Sequence, residues 1–400
     1  MTIDVLLAAA SAGVLASIVT VAVLKSVLPK RLVIPVAIGS VGMRIASTLL
    51  YRIMADTRPA DVNSYFARGA ELAANGAPIA LDLSGGTPFI VSLSHMVQAI
   101  FWPSRGLLFV AGALLSHLAL LAIVVSVSRV GPSQVIAPFA AGILLFPSLI
   151  FWTSAFSKDM ASILGIALLS LAFSKLRRGS RVSVSSAVAL TSGALLLWGV
   201  RPQILLLLGF ALALTLLSNA SQSGVAVPVY SMLPRVFAVV ALLSLGITSP
   251  VFLPDAERDG FAAVVEEADA TIERTRIGES NIRGIAENNY PLRVMTVWSR
   301  PLPWEAHGVT QWVSAAESVA MTLTVLWFVQ RWKVLLALAK KCSVTRYALV
   351  ATGGWSLVLA TFSNVGLMVR IRALSVPFAL FVAVVLYAEL REHSRHESRV

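Results

Sequence analysis

A lone cysteine, Cys342, excludes an intramolecular disulfide and a cysteine-based metal site in this chain. The five histidines are scattered, and no His-Glu-x-x-His or comparable ligand spacing joins them. There is no P-loop, no dinucleotide fingerprint and no Gly-x-Ser-x-Gly elbow, so the common nucleotide-binding and acyl-transfer signatures are missing. Charge is scarce: Asp, Glu, Lys and Arg make up 13% of the residues, against 57% apolar ones. A soluble core of this length has nowhere to hide so much apolar surface, which excludes a soluble multidomain enzyme. The net charge is +12, but the basic residues are dispersed among short loops, a pattern of membrane topology rather than of a nucleic-acid-binding patch.

What the chain does have is apolar length. Runs suited to spanning helices occur at 5–24, 32–53, 107–127, 135–152, 160–174, 183–199, 203–217, 236–253, 313–330, 347–366 and 373–389. Several fall short of the roughly 20 residues that a hydrocarbon core of about 30 Å requires, so tilt or flanking residues must supply the rest. No basic residue precedes the first run, while Lys25, Lys30 and Arg31 follow it. That order inverts a secretory signal and reads as a first crossing with its N-terminus outside.

One further run, 88–102, is short, follows Gly85-Gly86-Thr87 and contains His95 and Gln98. Loop charge decides its status. If it does not cross, the inner segments hold 17 of the 32 basic residues and only three of the 20 acidic ones, Glu389, Glu392 and Glu397. If it crosses, every later loop inverts and Arg177-Arg178 faces outward. The expectation is therefore an all-α polytopic bundle of about eleven crossings, with 88–102 as a re-entrant or surface-lying helix. It forms a single membrane domain over 1–400, N-terminus outside and C-terminus cytoplasmic, with long outer loops at 55–106 and 254–312. Within the second loop, Phe261, Val264, Val265, Ala268 and Ile272 make one apolar stripe opposite Glu266, Glu267, Asp269, Glu273 and Arg274, as in a helix lying on the membrane surface.

The outer segments carry the candidate chemistry. Asp56 and Asp61 lie just past the second run. Asp61 suits either an N-cap for a helix beginning near Val62 or a general base at the membrane edge, with Asp56 as the second candidate. Lys158-Asp159 stands where one crossing ends and the next begins, suiting a helix cap or contact with an anionic headgroup. Trp152 and Trp198 fit an interfacial aromatic belt. Arg201, Arg370 and Arg372 occupy very short outer turns against the loop-charge trend, and Arg44 lies inside the second run, where an unpaired charge is costly. Guanidinium groups bind phosphate oxygens bidentately; the competing reading is internal pairing with Asp61, Asp159 or Glu305. In Arg300-Pro301-Leu302-Pro303-Trp304-Glu305, two prolines stiffen a loop whose Trp304 suits stacking on a sugar ring or anchoring at the interface. His117, within a helix, reads as a packing residue. No cofactor or metal site is expected, a divalent cation at Asp255-Ala256-Glu257-Arg258-Asp259 being the weaker reading beside an exposed acidic turn.

These motifs resemble those of bacterial GT-C-type polyprenyl-phosphate-sugar glycosyltransferases and their polysaccharide-polymerase relatives of the O-antigen type. Asp61-x-x-x-Tyr65-Phe66 is similar to the family's first-loop motif, and Gly-Gly-Thr-Pro-Phe at 85–89 stands where the family has a Gly-Asn-Tyr-like segment. Phe146-Pro147 with Trp152, Ser154, Lys158 and Asp159 resembles its Pro-x-x-x-x-Trp-x-Ser…Lys-Asp/Glu pattern. Arg201, the stretch Arg300 to Glu305 with Glu317, and Asn364…Arg370-x-Arg372 are similar to later motifs. The chain departs from the family in lacking the Asn-Tyr element and a second acidic residue beside Asp61. The resemblance implies sugar transfer at the outer membrane face, from a polyprenyl-phosphate-linked donor to a glycan or lipid-linked acceptor in cell-envelope polysaccharide biosynthesis. Asp61 would accept the acceptor proton, and Lys158, Arg201, Arg370 and Arg372 would hold the phosphate leaving group. Tyr65, Trp304 and Glu305 would orient sugar, with Asp159 and Arg300 also at the substrate. Repeat-unit polymerisation at the same face is the near alternative. A lipid-linked glycan flippase or transporter is the rival of a different class, and it would favour buried mid-membrane charge and discontinuous helices; only Arg44 is of that kind.

Overall fold

The computed structural model describes residues 3–58, 60–101, 103–177, 183–222, 290–362 and 364–397. Every regular element among them is helical. The expected crossing at 236–253, the amphipathic stretch at 261–274 and the acidic turn at 255–259 lie outside the described residues. The chain divides into two compact units, Met1–Arg201 and Pro202–Val400.

In the first unit, α1 (Ile3–Val27), α2 (Lys30–Thr57) and α5 (Arg105–Val130) are long and apolar enough to cross a membrane. α1 and α2 turn Val14, Ile18, Ile38, Leu49 and Ile53 outward, leaving each at least 53% exposed, as suits helices that face lipid rather than water. α5 is the central post, burying Leu108, Phe109, Leu120, Ile123 and Val124. It packs on α1 and on α8 (Lys158–Arg177). α8 in turn crosses α9 (Val184–Val200) where two glycines meet: a Cβ on Gly193 would stand 2.9 Å from the Gly165 carbonyl oxygen. Small residues at such a crossing let two backbones approach closely.

One expected crossing is resolved differently. The run at 135–152 is not continuous: α6 (Ser133–Leu144) stops, and a short α7 (Pro147–Trp152) begins at Pro147. Proline has no amide hydrogen to continue the ladder and is favoured at a helix start, which explains the break. The 88–102 run forms α4 (Thr87–Ile100) of 14 residues, about 21 Å long against a core of about 30 Å. It lies against α3 (Asp61–Ala74).

The second unit contains α10 (Pro202–Gln222), α11 (Tyr290–Ser299), α12 (Val309–Gln330), α13 (Trp332–Lys341), α14 (Ser343–Leu359), α15 (Val365–Ala373) and α16 (Val376–Glu397). Its middle is α14, which buries Ala351, Trp355 and Leu359. α10 packs so closely on α14 that a Cβ on Gly354 would fall 2.1 Å from a Leu207 methyl. α16 adds Phe378, 6.0 Å from the Trp355 ring. Basic residues finish α13: Lys340 and Lys341 sit in its last turn, and Arg346 donates to the carbonyls of Ala339 (2.8 Å) and Lys340 (3.0 Å). Cations there offset the negative end of the helix dipole.

Among the described residues four helices have the length and composition to cross a membrane: α1 over Ala9–Val27, α2, α5 and α12. A fifth is added if α15 and α16, bent by 60°, form one broken span. The protein is thus all-helical with apolar helices suited to a membrane.

Candidate functional site

In the first unit the separate motifs of the sequence are brought into one neighbourhood. The carbonyl of Ala55, at the end of α2, accepts from the Asn63 amide at 2.7 Å, and this tie holds α3 against the end of α2. Ala60, with extended backbone, occupies the N-cap of α3, so Asp61 is its first helical residue and not its cap. A carboxylate at that position still favours the positive end of the helix dipole. Asp61 is exposed, while Tyr65, one turn on, is buried. The Tyr65 ring belongs to an apolar cluster with Phe89, Ile90, Leu108, Phe156, Met160 and Val200. That single cluster draws on α3, α4, α5, α8 and α9. It places the first-loop motif, the 85–89 segment, the Lys158-Asp159 pair and the Arg201 turn around one core. Tyr65 has its ring inside this core, so the packing role is the one its surroundings display.

The entry to α4 explains the paired glycines. Gly85 and Gly86 have φ of 84° and 67°, the left-handed region that L side chains rarely adopt. The Gly86 amide donates to the Gly199 carbonyl at 2.7 Å, stitching the start of α4 to the end of α9. Gly199 is needed as well, since a Cβ there would lie 2.4 Å from the Phe89 ring. Lys158, half-buried at the start of α8, has its Nζ 3.8 Å from where a Gly86 Cβ would stand. Just before this loop, the Ser84 hydroxyl and amide donate to Asp82 at 2.6 and 2.9 Å, holding its carboxyl below the usual carboxylate range.

Beneath Lys158, Asp159 is fully buried and accepts from Arg201 Nη2 at 2.5 Å; Arg201 is itself buried. The two charges compensate each other, as burial demands. Arg201 and Asp159 therefore stand first as an internal pair, the competing reading for an outer arginine. Asp56 is also engaged, bridged to Arg105, whose guanidinium lies 5.9 Å over the Phe109 ring. Of the first unit's candidates, Asp56 and Asp61 are exposed, Lys158 is half-buried, and Tyr65, Asp159 and Arg201 are buried.

Arg44 turns inward on α2 and donates through Nη1 to the Ile150 carbonyl and the Thr153 hydroxyl, both at 3.0 Å, and to Ser154 at 3.4 Å. It thereby holds the segment after α7 that leads to Lys158. Gly112 on α5 serves the same segment: a Cβ there would collide with the Ala155 carbonyl carbon and the Phe156 nitrogen at 2.3 Å. Sequence reading singled out Arg44 but not Gly112, whose neighbours lie more than forty positions away and carry no local signal. His117 is a packing residue, its Nε2 2.8 Å from the Thr20 hydroxyl.

In the second unit the arginine-proline loop is held from below. Arg372, 1% exposed, donates through Nη1 to the carbonyls of Val297 and Arg300, both at 2.8 Å. Its Nη2 donates to the Ser318 hydroxyl at 2.9 Å, and buried Glu317 supplies opposing charge. These bonds cap the C-terminal end of α11, where carbonyls lose their helical partners. Arg372 is thus a fastener of the loop. Glu305 accepts from the Leu302 amide at 2.8 Å and lies 3.7 Å from Arg300 Nε. Both Arg300 and Glu305 support the loop, and Trp304 is left 75% exposed at its tip. Arg293, missed in the sequence, is buried and donates to the Phe362 carbonyl at 3.2 Å. Asn364 caps α15 by accepting from the Leu367 amide at 3.0 Å, and Arg370 is half-buried on that helix.

Among the described residues no three His, Cys, Asp or Glu side chains gather as a metal site would require. Comparison with protein families, curated proteins and solved structures finds no match.

Proposed function

We propose that this protein is a membrane glycosyltransferase that moves a sugar from a polyprenyl-phosphate-linked donor to a glycan or lipid-linked acceptor. The carrying observation is the gathering of Asp61-Tyr65, Gly85–Phe89, Lys158-Asp159 and Arg201 around one apolar cluster in the first unit. In this reading exposed Asp61 takes the proton from the acceptor hydroxyl as the glycosidic bond forms. Lys158, beside the Gly85-Gly86 turn, meets the charge that develops on the departing phosphate. The Asp159–Arg201 pair sets the position of Lys158 from beneath. Taken by itself, the second unit holds Trp304 exposed on its fastened loop, with a face suited to a sugar ring. The loop-charge rule assigns these segments to the outer face of a bacterial plasma membrane, with about eleven crossings in all.

The test is incubation of purified protein with lipid-linked sugar donors and acceptors, followed by mass spectrometry of the lipid and glycan fractions. A product heavier by one sugar supports single transfer, and a product extended by whole repeat units supports a polymerase. The 60° break between α15 and α16 and the buried Arg44 favour a second reading, a flippase for lipid-linked glycans. Movement of intact lipid-linked glycan across a vesicle, without a new glycosidic bond, would replace the transferase reading with that one.

A further inference from the structure

Between α1, α2 and α5 runs a cleft of about 140 Å³ with walls that are almost wholly apolar. Gly13 and Ala16 of α1 and Phe109 of α5 line it, and Arg44, Thr48 and His117 are among its polar lining residues. Arg44, Thr48 and Arg52 all line it, spaced by four along α2, so they form one stripe rising from mid-helix toward its outer end. Among the described residues no acidic side chain lines this cleft.

Arg44 is 5% exposed and its Nη1 bonds only neutral groups, the Ile150 carbonyl and the Thr153 and Ser154 hydroxyls. Its Nε and Nη2 are buried with no hydrogen-bond partner among the described residues. A guanidinium inside a membrane helix bundle without a counter-charge is costly, and two idle N–H groups add to that cost. His117, which also lines the cleft, is occupied with Thr20 and brings no negative charge. Among the described residues Arg44 meets no anion, and a cleft with apolar walls admits an amphiphile that carries one.

We propose that a single anionic phospholipid occupies this cleft, one acyl chain against Gly13, Ala16 and Phe109, its phosphate drawn down the Arg52–Thr48–Arg44 stripe to Arg44. The bound lipid supplies a counter-charge that Arg44 does not find among the described residues. It also braces the segment after α7, because the same guanidinium holds Ile150, Thr153 and Ser154. The inference stands apart from glycosyl transfer, since lipid retention is measured with no donor present.

The test reconstitutes the full chain in vesicles of equal parts phosphatidylcholine and phosphatidylglycerol, extracts it in mild detergent, and counts retained lipids by native mass spectrometry. Wild type retains one phosphatidylglycerol in preference to phosphatidylcholine. Arg44→Gln lowers that retention about tenfold, equivalent to ~1.4 kcal/mol. Because Arg44 also holds the α7 segment, a second variant leaves it untouched: Gly13→Leu, whose Cβ has nothing within 4 Å, fills the cleft instead. It should abolish selective retention while unfolding as wild type does. Equal retention of both lipids by wild type overturns the proposal, as does undiminished phosphatidylglycerol on Gly13→Leu. Loss on Gly13→Leu with full retention on a folded Arg44→Gln overturns the contact with Arg44.

Discussion

The buried Asp159–Arg201 pair offers the sharpest check on how the first unit is held together. Both side chains lie within the protein, at 0% and 7% exposure, with 2.5 Å between charged atoms. Removing either partner alone takes from the other its opposing charge in a low-dielectric interior, and breaking a buried pair in this way typically costs about 3–5 kcal/mol. Replacing both with apolar residues of similar volume is often close to neutral. Arg201→Met and Asp159→Leu should therefore each destabilise by ~3–5 kcal/mol, while the double variant returns to within ~1 kcal/mol of wild type. The coupling between two such neighbours should then reach ~5 kcal/mol or more, far beyond the ~0.5 kcal/mol expected of independent sites. The assay is denaturant unfolding in micelles, followed by tryptophan emission, on all four proteins of the cycle. Single losses below ~1 kcal/mol, or a double variant as unstable as the sum of its parents, would show that the pair is not a compensated buried unit. The same four proteins separate structure from chemistry. If the pair only positions Lys158, transfer recovers with stability in the double variant; if Arg201 itself holds the donor, stability returns and transfer does not.

Other substitutions test other links. Asp61→Asn should abolish sugar transfer while leaving unfolding within ~0.5 kcal/mol, because its side chain is exposed and does not cap α3; full activity in that variant removes this carboxylate from the chemistry. Gly112→Ala places a methyl 2.3 Å from the Ala155–Phe156 backbone. It should destabilise by about 1–3 kcal/mol or more in the same unfolding assay, and a neutral result would mean that α5 does not press on that segment. Arg372→Lys keeps the charge but not the planar fork that reaches Val297, Arg300 and Ser318 together. Limited proteolysis between α11 and α12 should accelerate as much for Lys as for Ala, and full rescue by Lys would reduce the contact to a point charge. For orientation, Cys342 should react only with membrane-permeant thiol reagents, and a cysteine placed at Asp61 in a Cys342→Ser background should react with impermeant ones.

Helix content and the apolar class were legible because both depend on residues near one another in sequence. The starts of α2, α5 and α9 fall within a few residues of the runs at 32–53, 107–127 and 183–199. The split of 135–152 at Pro147 was legible in principle, since proline ends a helix by local chemistry, yet hydropathy alone reads through it. Asp61 shows how narrow the margin is: a shift of one residue made it the first helical residue rather than the cap.

The amino-acid sequence by itself determined that these segments are helices, that their faces are too apolar for water, and that a few arginines sit where charge is expensive. Only the tertiary structure decided what each arginine does. Arg201 meets Asp159 across 42 positions, Arg372 meets the Val297 carbonyl across 75, and Arg44 meets the Ile150 carbonyl across 106. Helical periodicity fixes a side chain's direction around its own axis but is blind to which helix lies alongside. Leaving buried charge unsatisfied is costly, so its partners are chosen by packing, and packing exists only once the helices have met.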